Sequence, residues 1–204
     1  MNHLRSIKSI LVTNTRIHSD STSVAAELAE LITKSGKRVL LVDADFHQPL
    51  IHQLFKLPNR VGLADLLNNG KKIEACMQRV NNSELQVITS GHASQSPQEL
   101  LKDVKFNHFL QSQKQSFDKI ILHGPPCFHE ETATMASQVD GVILMIHPGY
   151  AKSEISRAVI EKFQRTGANI IGIVMRDQPK HTQSQSTFIE RLLNYDKQAK
   201  TSSP

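Results

Sequence analysis

Cysteine is nearly absent. Cys76 and Cys127 are the two in 204 residues, far apart and without any metal-ligand spacing. That excludes a disulfide framework or a zinc-ribbon arrangement, and a reduced, cytoplasmic chain is the simplest expectation. No apolar run approaches the roughly 20 residues needed to span a bilayer, and Met1 to Ile10 carries no secretory signal pattern. Membrane association would therefore come through a partner or a surface helix. A dense basic block is missing too. Lys and Arg outnumber Asp and Glu by 24 to 19, a net +5 spread along the chain. This permits contact with anionic partners but argues for none, and nucleic acid is not expected. Internal repeats and domain linkers are also lacking. The length fits one α/β domain with a substantial core.

What is present is an alternation of apolar runs with helical patterns. Ile7 to Val12, Val39 to Val42, Leu85 to Thr89, Asp118 to Leu122, Gly141 to Ile146 and Ile170 to Met175 read as strands. Between them, Ser23 to Ser35 reads as an amphipathic helix with Val24, Leu28, Leu31 and Ile32 on one face, ended by Gly36. Shorter helices are expected around Leu50 to Phe55 and Gly62 to Asn69, then from Pro97, Val104 to Gln113 and Ser153 to Thr166. The fold class that follows is α/β: a doubly wound, mostly parallel sheet with helices on both faces.

The strand Val39 to Val42 runs into two carboxylates, Asp43 and Asp45. Loops at the carboxyl ends of parallel strands line the ligand crevice. Two acids there can orient a hydrated Mg²⁺, which prefers oxygen ligands. They can equally cap the following helix and face solvent.

Four segments together resemble one family. VLLVDAD is followed by Pro49, Leu54-Phe55, Leu57-Pro58-Asn59, Gly62-Leu63 and Asp65-Leu66-Leu67. Gly91, Ser96-Pro97 and Glu99-Leu100-Leu101 come next, then Phe117-Asp118, the Ile121 strand and Pro125-Pro126. Val139-Asp140-Gly141-Val142, Thr166-Gly167-Ala168 and Ile171-Gly172-Ile173-Val174 complete the set. In order and spacing these resemble the bacterial tyrosine kinase (BY-kinase) domain, the CpsD/CapB and Wzc-like branch of the MinD/ParA group of P-loop ATPases. The resemblance covers roughly Ser6 to Asp177. It implies one domain over residues 1–177, with a polar tail over 178–204 holding a short helix.

The resemblance also implies Mg·ATP as cofactor and a role in regulating capsule and exopolysaccharide polymerisation and export. The implied partner is a membrane polysaccharide co-polymerase of the chain-length-determinant type, with an intact kinase paralogue as a further candidate. The implied location is peripheral, at the inner face of the plasma membrane. By the same match, Asp43 helps activate the acceptor hydroxyl, Asp45 belongs to the metal site, and Thr22 supplies a hydroxyl to Mg²⁺.

Against that pattern the chemical residues have changed. The family loop reads T-S-x-x-P-G-E-G-K-S-T, where this chain has Thr13-Asn14-Thr15-Arg16-Ile17-His18-Ser19-Asp20-Ser21-Thr22-Ser23. Asn14, His18, Ser19, Asp20, Ser21 and Thr22 are the counterparts of the nucleotide-binding residues. His18 and Asp20 replace glycines whose N–H groups would wrap phosphate, and Ser21 replaces the lysine that stabilises γ-phosphoryl charge. The Walker B strand, Ile120-Ile121-Leu122, ends in His123 where an aspartate is expected. His123 reads either as a hydrogen-bonded histidine in a decayed pocket or as a ligand or base beside the two acids. Phe46-His47-Gln48 stand where family members often carry arginines.

Regulatory features depart as well. The tail holds only Tyr195, and Tyr150 is the sole other tyrosine, against the family's tyrosine cluster. The E-x-x-R-x-x-R helix that packs family rings is expected to be absent or supplied by another polypeptide, so homo-oligomerisation and ring assembly are not expected of this chain alone. Phe188, Ile189, Leu192 and Leu193 lie at helical spacing and read as a terminal helix on the sheet, with a membrane anchor as the alternative. His47 and His52 read as surface residues, and Cys127 as a small buried side chain. The expectation is a degenerate, non-enzymatic BY-kinase-like protein. The alternatives are an active tyrosine kinase with a divergent loop and a MinD/ParA-like positioning protein.

Overall fold

The computed structural model describes residues 7–15, 21–102, 104–146 and 154–175. Among these residues one sheet of seven strands runs in the order β3-β4-β2-β5-β1-β6-β7. Its strands are β1 (Ser9–Asn14), β2 (Val39–Asp43), β3 (Met77–Arg79), β4 (Gln86–Ile88), β5 (Lys119–His123), β6 (Gly141–Ile146) and β7 (Ile170–Met175). Every pairing is parallel except that of the edge strand β3, which runs antiparallel to β4. β1, β2, β5 and β6 are almost wholly buried, so each reads as a continuous apolar run.

Side-chain alternation splits the core between the two faces of the sheet. Ile10, Val12, Val39, Leu41 and Ile121 point to one face, where α1 (Ser21–Lys34) covers them with Val24, Leu28 and Ile32. Burying each of those three side chains contributes roughly 1.5–3 kcal/mol. Leu31, expected on the same stripe, is instead partly exposed at the helix edge. Leu11, Leu40, Val42, Ile120 and Leu122 point to the other face. There they meet α3 (Leu63–Asn69), α5 (Pro97–Lys102), α6 (Val104–Ser116), α7 (Glu130–Gln138) and α8 (Glu154–Arg165). Two further short helices are α2 (Ile51–Leu54) and α4 (Ile73–Cys76).

The doubly wound arrangement expected from the sequence is therefore present. Three elements went unforeseen: α4, β3 and α7. The tail over 178–204, with Phe188, Ile189, Leu192, Leu193 and Tyr195, lies outside the described residues, as does Tyr150.

The segment around Leu57-Pro58-Asn59 and Gly62-Leu63 has a clear mechanical reason. The Leu63 and Ala64 N–H groups donate to the Thr89 and Ser90 carbonyls at 2.8 and 2.9 Å, seating α3 against the end of β4. A Cβ on Gly62 would lie 2.1 Å from the Thr89 carbonyl oxygen, so only glycine permits this approach. Asn59 Oδ1 accepts the Gly91 N–H at 2.9 Å, and Asp65 accepts the Gly62 N–H at 3.1 Å. These motif residues hold the fold together around the sheet's carboxyl edge.

Candidate functional site

The strand register assembles the site. β5 lies between β1 and β2, pairing His123 with Val12 on one side and with Asp43 on the other. The carboxyl ends of three adjacent strands thus bring Asn14, Asp43 and His123 together, with the first turn of α1 beside them. This is the crevice position of an open α/β sheet.

His123 is the hub. Its Nδ1 lies 3.0 Å from Asp43 Oδ1, and its Nε2 lies 3.3 Å from Ser21 Oγ and 3.2 Å from Thr22 Oγ1. Asn14 Nδ2 donates to Ser21 Oγ at 2.8 Å. With Nδ1–H directed at the carboxylate, Nε2 accepts from the two hydroxyls, and Ser21 in turn accepts from Asn14. Asp43, Ser21, Thr22 and His123 are all buried. The network satisfies its own members, as buried polar groups require. Of the two sequence readings of His123, the hydrogen-bonded one matches this geometry.

The focal acids hold backbone. Asp43 Oδ2 accepts the Ile51 N–H at 3.1 Å, and Oδ1 accepts the Asp45 N–H at 3.3 Å. Asp45 Oδ1 accepts the His47 and Gln48 N–H groups, both at 3.0 Å. The pair therefore fixes the turn from β2 toward α2; both acids are buried, where the capping alternative has them facing solvent, and only Asp43 reaches the start of α2. His18, Ser19 and Asp20 lie outside the described residues, so the structure brings together Asn14, Ser21, Thr22, Asp43 and Asp45 from the sequence-derived set.

His47 is exposed, as the sequence reading has it, and it also takes part in a second cluster that the sequence did not show. His47 Nε2 lies 2.6 Å from Glu131 Oε1, and its ring stacks on that of His129 with centroids 4.1 Å apart. Glu131 is buried in the first turn of α7. Burial holds His129 below its ordinary pKa and His47 lowers it further, against the opposing pull of Glu131 and Asp45. The signal missed was α7 itself, which turns Glu131 toward the loop after β2.

Beyond that loop, an open cleft of about 740 Å³ is lined by Phe46, Gln48, Pro49, His52, Asn59 and His92, among others. Cys127, buried after Pro125-Pro126, has its thiol pushed up to about 11, first by burial. As expected, it is a packed side chain, unsuited to act as a thiolate at neutral pH.

The family model described as "AAA domain" matches residues 7–171. The tyrosine-protein kinase YwqD of Bacillus subtilis is 30% identical over 182 residues, which cover 88% of this chain and 77% of YwqD. The tyrosine-protein kinase ptk of Acinetobacter johnsonii is 30% identical over 156 residues, 76% of this chain but 21% of ptk. The chain thus spans about a fifth of ptk and about three-quarters of YwqD.

Among solved structures, the chimerical protein CapA2B2 superposes with a TM-score of 0.80 at 25% identity, over 86% of this chain and 78% of the other. The septum site-determining protein MinD of Pyrococcus horikoshii, complexed with Mg-ADP, shares the fold with a TM-score of 0.71 at 16% identity, over 89% and 76%. With its seven-stranded sheet, its strand-end acids and a sequence match across most of its length, the chain belongs to the bacterial tyrosine-kinase family, on the AAA-type P-loop fold.

Proposed function

We propose that this chain is a catalytically degenerate BY-kinase-like protein that regulates capsule or exopolysaccharide biosynthesis and export. It does so by binding a membrane polysaccharide co-polymerase of the chain-length-determinant type, at the inner face of the plasma membrane. The pathway is supported by relatives that include the tyrosine-protein kinase CpsD of Streptococcus agalactiae and a putative tyrosine-protein kinase in the cps region of Klebsiella pneumoniae. The chain spans 79% of the first and 23% of the second.

One observation carries the loss of catalysis. The imidazole of His123 sits at the strand end between Asp43 and the Thr22 hydroxyl, 3.0 and 3.2 Å from them. In the family pattern those two oxygens serve Mg²⁺ and its waters. Mg²⁺ demands oxygen ligands in near-octahedral geometry. An imidazole that engages Asp43 through Nδ1 and the Thr22 hydroxyl through Nε2 fits that ion poorly. Ser21, too short to reach a β/γ-phosphate, is drawn into the same network. Phosphoryl transfer depends on positioned cationic charge, and the lysine that would supply it is absent.

The active-kinase reading draws on one observation of its own, the retention of Asp43 and Asp45 at the end of β2. Complementation separates the two. In a deletion strain, an Asp45→Asn variant that folds and accumulates normally should restore polymer chain length as fully as the native chain. Failure of that variant alongside success of the native chain would overturn the non-catalytic reading.

A further inference from the structure

The cluster of His47, His129 and Glu131 lies outside the decayed nucleotide network and joins two loops at the carboxyl edge of the sheet. His47 follows β2, and its N–H is fixed by Asp45. His129 is the N-cap residue of α7, its N–H donating to the Pro126 carbonyl at 3.0 Å. Glu131 is carried in the first turn of the same helix.

One ligand atom from each side chain lies within 4.8 Å of the other two. Glu131 Oε1 is 2.6 Å from His47 Nε2 and 3.8 Å from His129 Nδ1. Zinc binds imidazole nitrogen and carboxylate oxygen at about 2.0–2.2 Å, which in a tetrahedron puts ligand atoms roughly 3.3–3.5 Å apart. The two Glu131 separations bracket that value, and the stacked His47 and His129 rings, with centroids 4.1 Å apart, would turn about their side-chain bonds to aim both nitrogens at one ion.

We propose that His47, His129 and Glu131 form a binding site for a divalent transition metal of the Zn²⁺ class. Two imidazoles and one carboxylate suit Zn²⁺, Ni²⁺ or Cu²⁺, whereas Mg²⁺ and Ca²⁺ prefer all-oxygen sets. The buried carboxylate of Glu131 needs a cationic partner, and an ion at this point supplies one while replacing its direct contact with His47. Three protein ligands leave a fourth position for water or for a donor from a bound partner. The metal would clasp the turn after β2 to the start of α7. This inference is independent of the fate of the nucleotide site.

The test is calorimetric titration of chelator-treated protein with ZnCl₂ in the presence of excess Mg²⁺, paired with Co²⁺ absorption spectroscopy. The expected result is one saturable site per chain and a visible Co²⁺ d–d band. His47→Ala, His129→Ala and Glu131→Gln should each weaken binding at least tenfold, with circular dichroism confirming that each variant is folded. His92→Ala and His108→Ala should leave affinity unchanged. Absence of saturable binding, or affinity retained in His47→Ala and His129→Ala, would overturn the site and leave an ordinary ion pair between His47 and Glu131.

Discussion

His123 carries the largest consequence of any single residue. Its imidazole neutralises the demand of a fully buried carboxylate, Asp43, and engages two hydroxyls on α1. Removing one partner of a buried polar pair leaves the other without compensation. His123→Ala should therefore lower stability by about 3 kcal/mol, read as a fall in the urea midpoint at unchanged m-value. The sequence made part of this legible. A histidine ending a strand beside two acids was visible, and the resemblance put it where a carboxylate is expected. The hydroxyl partners were hidden, because Ser21 and Thr22 are about a hundred residues away in sequence and meet His123 only through β1–β5 pairing. The partners of His47 were hidden for the same reason: His129 and Glu131 sit at the start of α7, an element with no apolar signature.

At the scale of elements, long apolar strands could be read directly and short or small-residue elements could not. β6 and β7 match their expected spans residue for residue, and β1, β2 and β5 are shifted or extended by one or two residues. α7 escaped notice because Glu130–Gln138 packs through Thr132, Ala133, Met135 and Ala136, mostly small side chains that leave no periodic apolar stripe. β3, three residues long and half exposed, shows no alternation.

The elements are also pinned at their starts. Asp140, just before β6, accepts the Lys8 and Ser9 N–H groups at 2.9 and 2.8 Å and the Lys114 ammonium at 2.7 Å. Burial opposes its ionisation, but Lys114 and the two N–H groups outweigh that and hold its carboxyl below the ordinary value. A depressed folded-state pKa means the stabilisation is present above the unfolded value of about 3.9 and is lost as pH falls through the folded value. Asp140→Asn should thus cost about 1–2 kcal/mol at pH 7. The gap to the native chain should close as the pH is lowered below about 4, measured by urea midpoints across that range.

For the whole molecule, the proposed reading separates fold from chemistry. The sheet order, both core faces and the glycine contact at Gly62 follow from residues that the family pattern retains. The residues that would handle phosphate are the ones replaced. Such a separation is physically permitted, because core packing and site chemistry rest on different side chains and a fold does not entail an activity. Within the described residues no helix is long and apolar enough to cross a membrane.

Whether the His123 network has displaced the metal–nucleotide site, as proposed, is read by thermal unfolding with Mg·ATP. A ligand at 100 times its dissociation constant adds about 2.7 kcal/mol, which for a chain of this size raises Tm by roughly 5–10 °C. No shift is expected at millimolar Mg·ATP. A clear rise that Asp45→Asn abolishes would contradict the proposal.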